Sequence, residues 1–89
     1  MRAVITVIGK DMVGILAKVS TICAGHQVNV LEVTQSTLQD MFAMIMMVDI
    51  EKSDVPFEQF ADELTALGNS MGLSIHTMHE DIFNSMHQI

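Results

Sequence analysis

Apolar positions recur at two different spacings along this chain, and the change from one spacing to the other predicts its elements. A nearly unbroken apolar run over 2–8, rich in β-branched residues, predicts a strand that is covered on both faces. Apolar residues three and four positions apart over 13–25 predict a helix, with Gly25 where that helix would stop. The segment 28–37 has strand propensity but is far more polar, which is typical of an edge strand.

Two further strands are predicted in the rest of the chain. Residues 38–41 suit a tight hairpin connection, and the run 42–50 after them is apolar almost throughout, which indicates a central strand. The segment 73–78 alternates between apolar and polar residues and is polar enough for an edge strand.

Two further helices are also predicted. The segment 53–56 opens the second helix of the chain with Pro56 in its first turn, and Gly68 and Gly72 are the expected stops. A short amphipathic helix ends the chain, and its apolar face consists of Ile82, Phe83, Met86 and Ile89.

The order of these elements, βαββαβ with a terminal helix, predicts an α+β fold of the ferredoxin-like class. Right-handed crossovers give an antiparallel four-stranded sheet in the order 4-1-3-2, with both strongly apolar strands at its centre. We expect one domain over 1–79 and a helical tail over 80–89. Because two helices cover only one face of such a sheet, the terminal helix or a second subunit must cover the other.

The connection between the first strand and the first helix is a candidate anion site. The first amide N–H groups of a helix lack intrahelical partners, and Gly14 has no Cβ to keep a ligand away from the backbone. Asp11 is interpreted as a helix cap. Glycine within a first helical turn costs roughly 1 kcal/mol relative to alanine, so Gly14 calls for a packing or binding reason.

Charge and composition narrow the possible partners. The chain has 89 residues and a net charge of −7, and its segment 46–89 sets Lys52 alone against eight acidic residues. Such a surface repels phosphate backbones, which argues against direct binding of nucleic acid. A single cysteine, Cys23, fits a reducing compartment, and the absence of a signal peptide or of a membrane-length apolar run predicts a cytoplasmic protein without membrane contact.

Two functions known for this fold are poorly matched by the residues. An RNA-recognition module stacks bases on aromatic residues of its central strands, and only Phe42 is available there. A small phosphatase would need a guanidinium group after the first strand, whereas Arg2, the only arginine, lies at the chain start. No nucleophile and base form a pair, so we expect neither an enzyme nor a cofactor.

The order of strand, Asp11-x-x-Gly14-Ile15, helix and then Val28-Asn29-Val30 resembles the ACT domain. The resemblance covers about 2–79, and the tail is similar to that of small stand-alone ACT proteins. These in turn resemble regulators of glycine cleavage and the N-terminal module of formyltetrahydrofolate deformylase. The chain departs from the pattern at Met12-Val13, where the family often has proline before the glycine.

The resemblance implies a non-catalytic regulatory module that binds an amino acid or similar small effector at the interface of a homodimer or higher homo-oligomer. Amide N–H groups at a helix start suit a carboxylate, and the carboxamide of asparagine both donates and accepts. The implied ligand-binding residues are Lys10, Asp11, Met12, Val13, Gly14, Ile15 and Asn29.

Other interpretations of single residues stay open. Asn29 can equally bond its own backbone at the start of a strand. The methionines at 41, 44, 46 and 47 favour an interface, which would suit a pure interaction module without a ligand. A metal sensor is a third hypothesis. Two observations speak against it: His76 and His79 would point to opposite faces of an exposed edge strand, and Cys23 suits the core. Its candidate ligands are Cys23, His76, His79 and His87.

Overall fold

The computed structural model describes residues 1–10 and 13–86 of the chain. Its elements follow the predicted order of four strands and two helices, with a third helix at the end. They are β1 (Arg2–Gly9), α1 (Ile15–Gly25), β2 (Asn29–Leu38), β3 (Met41–Asp49), α2 (Phe57–Met71), β4 (Ser74–His79) and α3 (Glu80–Met86).

The four strands form one antiparallel sheet in the order β2-β3-β1-β4. The predicted fold and strand order are therefore confirmed, with β1 and β3 at the centre. At one end of the sheet Asn29 lies opposite Asp49, which in turn lies opposite Arg2. At the other end Phe42 lies between Thr37 and Gly9. We refer to these two ends as the Asn29 end and the Gly9 end.

Helices α1 and α2 cover one face of the sheet, which we call the inner face, and α1 lies on the β2 side while α2 lies on the β4 side. Alternate residues of β3 point toward the helices, so Met44 and Met46 are fully buried in the core. The expectation that these two methionines form an interface was wrong. The largest fully buried side chains also include Phe60, Ile5, Ile15 and Leu64.

The turn residues of α2 differ from the prediction at both ends. Pro56 immediately precedes the helix instead of lying in its first turn, and its carbonyl oxygen accepts the N–H of Phe60 at 3.1 Å. Gly68 does not stop the helix; it is a buried residue within it. A Cβ at this position would come within 2.9 Å of Cγ1 of Ile75, which explains why the residue is glycine. The helix ends at Gly72, whose φ of 71° is left-handed.

The terminal helix α3 contacts β1 and β4 on the outer face of the sheet, opposite α1 and α2. Val4 points to this face and is fully buried, but Ile82 and Met86 of α3 remain 51% and 64% exposed. Ile89, the last residue of the predicted apolar side, lies outside the described residues. Within the described ranges, no helix is long and apolar enough to cross a membrane.

Candidate functional site

The loop at the Gly9 end contains most of the predicted ligand-binding residues. Gly14 and Val13 are exposed, with 86% of Val13 accessible, whereas Ile15 is 2% exposed and belongs to the core. Asp11, the predicted cap, and Met12 lie outside the described residues. Val13 and Gly14 are therefore accessible to a ligand, while Ile15 fixes the first turn of α1 to the sheet.

Gly14 has a conformational reason for being glycine. It occupies the position just before α1 with φ 77° and ψ 2°, instead of lying within the first turn. A Cβ added there would meet nothing within 4 Å, so crowding does not require glycine. A left-handed backbone does, because it costs other L-residues roughly 1–2 kcal/mol. The carbonyl oxygen of Gly14 then accepts the first helical hydrogen bond, from the N–H of Lys18 at 3.0 Å.

Lys10 connects this loop to the β2–β3 hairpin. Its Nζ lies 3.8 Å from Oδ2 of Asp40, and both side chains are more than 70% exposed. An ion pair so exposed contributes at most about 1 kcal/mol to stability. Lys10 is therefore an exposed cation at the start of the loop, available to a ligand carboxylate at little cost.

Asn29 lies at the opposite end of the sheet, where it borders a polar cleft of about 220 Å³. Its carboxamide makes no hydrogen bond within the described part of the chain, so the alternative in which it bonds its own backbone is wrong. Lys52 supplies a cation to the same cleft, and Asp49 supplies a carboxylate whose Oδ1 already accepts the N–H of Glu51 at 2.9 Å. The cleft is lined by Gln27, Asn29, Asp49, Glu51 and Lys52.

The cleft opens beside a strained turn at the end of α1. Gln27 has a φ of 63°, and the N–H of Val28 donates to the carbonyl oxygen of Cys23 at 2.8 Å. This left-handed residue after the helix is where glycine is most common, yet the expected stop, Gly25, is the last helical residue instead. The turn directs the chain from α1 into β2 and so positions Asn29 at the first residue of the strand.

One chain does not bring the two groups of predicted residues together. The Asn29 end and the Gly9 end of the sheet are seven residue positions apart along β1, which corresponds to roughly 23 Å. Helix α1 runs between them, from Gly14 to Gly25. An amino acid that contacts both Gly14 and Asn29 needs these residues from two different copies of the chain.

His26 forms a bridge that periodicity did not predict. Its Nδ1 lies 2.7 Å from Oδ1 of Asp54, and its Nε2 lies 2.7 Å from Oε2 of Glu63. The hydrogen bond to Asp54 and then the one to Glu63 raise the pKa of His26 above its ordinary value. The partners are 28 and 37 residues away in sequence, so no local spacing signals the bridge.

The candidate metal ligands are dispersed. Cys23 is fully buried, and its burial raises the pKa of the thiol to about 11. His76 and His79 point to opposite faces of β4, as predicted, but His79 is half-buried and stacks on Phe57 with ring centroids 4.3 Å apart. His87 lies outside the described residues. Across residues 1–10 and 13–86, no three His, Cys, Asp or Glu side chains group as a metal site would require.

Comparison with known proteins gives the family. A model of the ACT domain family matches residues 2–78. A UPF0237 protein of Clostridium acetobutylicum is 46% identical to this chain over 100% of both sequences. An ACT domain protein from Streptococcus pneumoniae has a structure that matches with a TM-score of 0.79 at 32% identity, over 93% of each chain.

A more distant structure shares the fold alone. Formyltetrahydrofolate deformylase from Pseudomonas syringae matches with a TM-score of 0.76 at 21% identity, and the match covers 88% of this chain but only 27% of the deformylase. The match of the family model to nearly the whole chain, together with these relatives, shows that this chain belongs to the ACT domain family.

Proposed function

We propose that this chain is a non-catalytic regulatory module that binds an amino acid or a similar small polar effector between two copies of itself. The observation that carries the proposal is the position of the two half-sites. Gly14 and Asn29 lie at opposite ends of the molecule but on the same side of it, because α1 runs along the β2 side.

Strand β2 offers an edge through which two copies can associate. It is a ten-residue strand with only one charged residue, Glu32, and its side chains Leu31 and Val33 are 41% and 38% exposed. A long edge strand with few charges pairs readily with another strand. The register of β2 against β3 shifts between Val30 and Glu32, so Leu31 is skipped in the pairing with β3.

Antiparallel pairing of β2 with β2 of a second copy completes the site. A two-fold axis between the paired strands places the Asn29 end of one copy beside the Gly9 end of the other. The start of α1 in the second copy then lies at the same end of the joined sheet as the cleft beside Asn29 in the first. Two equivalent sites result, and each contains groups from both chains.

The two halves offer the chemistry that an α-amino acid requires. Free N–H groups at the start of α1, with Lys10 nearby, suit its carboxylate. The carboxylate of Asp49 and the carboxamide of Asn29, which makes no hydrogen bond within the described part of the chain, suit its ammonium group. A cleft of about 220 Å³ favours small amino acids over aromatic ones.

Isothermal titration against the twenty amino acids tests the proposal. We expect at least one of the smaller amino acids to bind and Asn29→Ala to abolish the heat of binding. If none of the twenty amino acids binds, the proposed effector role is wrong.

Mixing variants tests whether the site is shared between copies. Neither Asn29→Ala nor Lys10→Glu should bind alone, but an equimolar mixture should regain about a quarter of the sites, because half of the dimers are mixed and each has one intact site. If binding is present in the unmodified protein and mixing restores nothing, the site lies within a single chain.

An assembly module without a ligand is the second candidate function, and the exposed apolar side chains on the outer face of the sheet favour it. It predicts a protein that self-associates in sedimentation experiments but gives no heat with any amino acid. The same titration therefore separates the two functions.

A further inference from the structure

The polar cleft beside Asn29, which we call the Asn29 cleft, lies between two connecting segments. Gln27 belongs to the turn from α1 into β2, and Glu51 and Lys52 belong to the connection from β3 to α2. Asn29 and Asp49 lie at its base, where the two residues are paired in the sheet. The walls whose spacing the sheet does not set are therefore Gln27 on one side and Glu51 with Lys52 on the other.

The Gln27 wall is fixed through both of its neighbours. Val28 is buried in the core, and its N–H donates to the carbonyl oxygen of Cys23 at 2.8 Å. His26 follows the last helical residue of α1, and its ring packs edge-on against the buried Phe60 with ring centroids 6.3 Å apart. The position of Gln27 thus depends on His26.

The opposite wall also depends on His26. Glu51 and Lys52 lie between Ile50, which is buried in the core, and Asp54. The N–H of Asp54 donates to the carbonyl oxygen of His26 at 3.1 Å, and Oδ1 of Asp54 lies 2.7 Å from Nδ1 of the His26 ring. His26 therefore joins the two walls of the Asn29 cleft.

The contacts of the His26 ring require its charged form. Nδ1 lies 2.7 Å from Oδ1 of Asp54, and Nε2 lies 2.7 Å from Oε2 of Glu63. A neutral imidazole has one N–H and one lone pair, whereas an imidazolium has two N–H groups. Because a lone pair this close to a carboxylate oxygen is repelled, both contacts coexist only while His26 is protonated on both nitrogens.

Loss of this proton releases one carboxylate. The side chain of Asp54 is 54% exposed and that of Glu63 is 39% exposed, so Asp54 turns to water more readily. The ring stays against Phe60 and continues to donate to Glu63. The hold of His26 on the β3–α2 connection is then reduced to the backbone hydrogen bond from Asp54.

We propose that His26 is a positioning residue of the Asn29 cleft, whose imidazolium holds the two walls at their observed spacing and whose deprotonation loosens the wall formed by Glu51 and Lys52. The proposal rests on the proposed function in one respect, namely that this cleft receives the effector. His26 does not line the cleft and acts on the effector only through the walls.

The direction of the pH dependence follows from the groups around the ring. The charged groups bonded to it are Asp54 on the β3–α2 connection and Glu63 on α2, and together they raise the pKa of His26 above its ordinary value. The cleft itself is lined by the charged residues Asp49, Glu51 and Lys52. The walls are therefore held at low pH, and the hold weakens as the pH rises through the raised pKa of His26.

NMR relaxation of the full chain at pH 6 and pH 9 tests the proposal without a ligand. Carbon-detected experiments suit this purpose, because amide protons exchange quickly at pH 9. We expect the order parameters of residues 51–53 to fall at pH 9, whereas Gln39 in the β2–β3 turn should not change. Equal order parameters of residues 51–53 at both pH values would overturn the proposal.

Asp54→Asn is the matched variant. A carboxamide can donate to the lone pair of a neutral imidazole, so the ring can bond residue 54 and Glu63 together without the extra proton. We expect residues 51–53 of this variant to be equally ordered at pH 6 and pH 9. The same loss of order in the variant and in the unmodified chain would overturn the role of His26.

Isothermal titration with the twenty amino acids at the same two pH values extends the test to the effector. We expect binding to the unmodified chain to be weaker at pH 9 by at least about fivefold, the lower end of the coupling usual between linked sites. Asp54→Asn should bind equally at both pH values, and it also corrects for any change in the charge of the amino acid itself. Equal affinity of the unmodified chain at both pH values would overturn the positioning role. No heat at either pH, together with the loss of order at residues 51–53, would refute the proposed function and support the hold of His26 on the cleft.

Discussion

Replacing Gly68 with alanine sets two opposing effects against each other in α2. Alanine in a helix interior is favoured over glycine by about 1 kcal/mol. The added Cβ would lie 2.9 Å from Cγ1 of Ile75 and 2.9 Å from the carbonyl oxygen of Leu73. Overpacking of this kind costs about 1–3 kcal/mol.

The structure indicates that the clash prevails. One of the two atoms belongs to the backbone, and the N–H of Leu73 donates to the carbonyl oxygen of Gly68 at 2.8 Å, so the chain entering β4 is held against the helix there. Ile75 is only 4% exposed, so its side chain lies against other parts of the protein on nearly every side. We expect a net loss of about 1 kcal/mol, which lowers the Tm of a domain this size by roughly 4–8 °C.

Thermal unfolding followed by circular dichroism measures this effect, and Gly25→Ala is the matched control. Gly25 also lies in a helix, but a Cβ there would meet nothing within 4 Å. That variant should gain roughly 0.4–1 kcal/mol, since alanine restricts the unfolded chain. A Tm for Gly68→Ala equal to or above that of the unmodified protein would refute the close approach of α2 and β4.

Three further predictions concern single side chains. The folded-state pKa of His26 is raised, so its bridge stabilises the fold most below about pH 6.5 and less as the pH rises through that raised value. Urea unfolding of His26→Gln should thus show a deficit that shrinks from pH 6 to pH 9, and a constant deficit would contradict the bridge. Cys23 is buried with a thiol pKa of about 11, so a thiol reagent at pH 8 should react only as fast as the protein opens; immediate labelling would contradict its burial. Gln39→Gly should raise stability by about 1 kcal/mol, because Gln39 has a left-handed φ of 56°; an unchanged Tm would show that the turn is not strained.

The sheet was predictable from the sequence because its two central strands differ in composition from its two edge strands. The apolar runs of β1 and β3 predict central strands. With right-handed crossovers, the only strand order that puts both of them at the centre is β2-β3-β1-β4. The exact ends of elements were less predictable. Gly68 has the residue type of a helix stop, and the close approach of Ile75 and Leu73 explains its place inside α2.

Two features of the surface and site depended on contacts that a linear pattern does not contain. An apolar run such as β3 does not indicate which of its methionines face the helices, and burial separates Met44 and Met46 from the exposed Met41. The family pattern gives the order of Gly14 and Asn29 along the chain but not the distance between them in the fold. In the fold they are separated, because α1 runs along the length of the sheet between them.

The left-handed backbone at Gly14 affects how the family motif is used as a diagnostic. A chain that has lost its effector still has to begin its first helix at this turn, so folding alone is enough to retain the glycine. The Asp-x-x-Gly pattern therefore identifies the architecture and provides no evidence that an effector binds. Asn29 is more informative, since neither its backbone nor a hydrogen bond in the described structure requires a carboxamide there. Searches for effector-binding relatives should weigh the residue at the start of the second strand above the glycine.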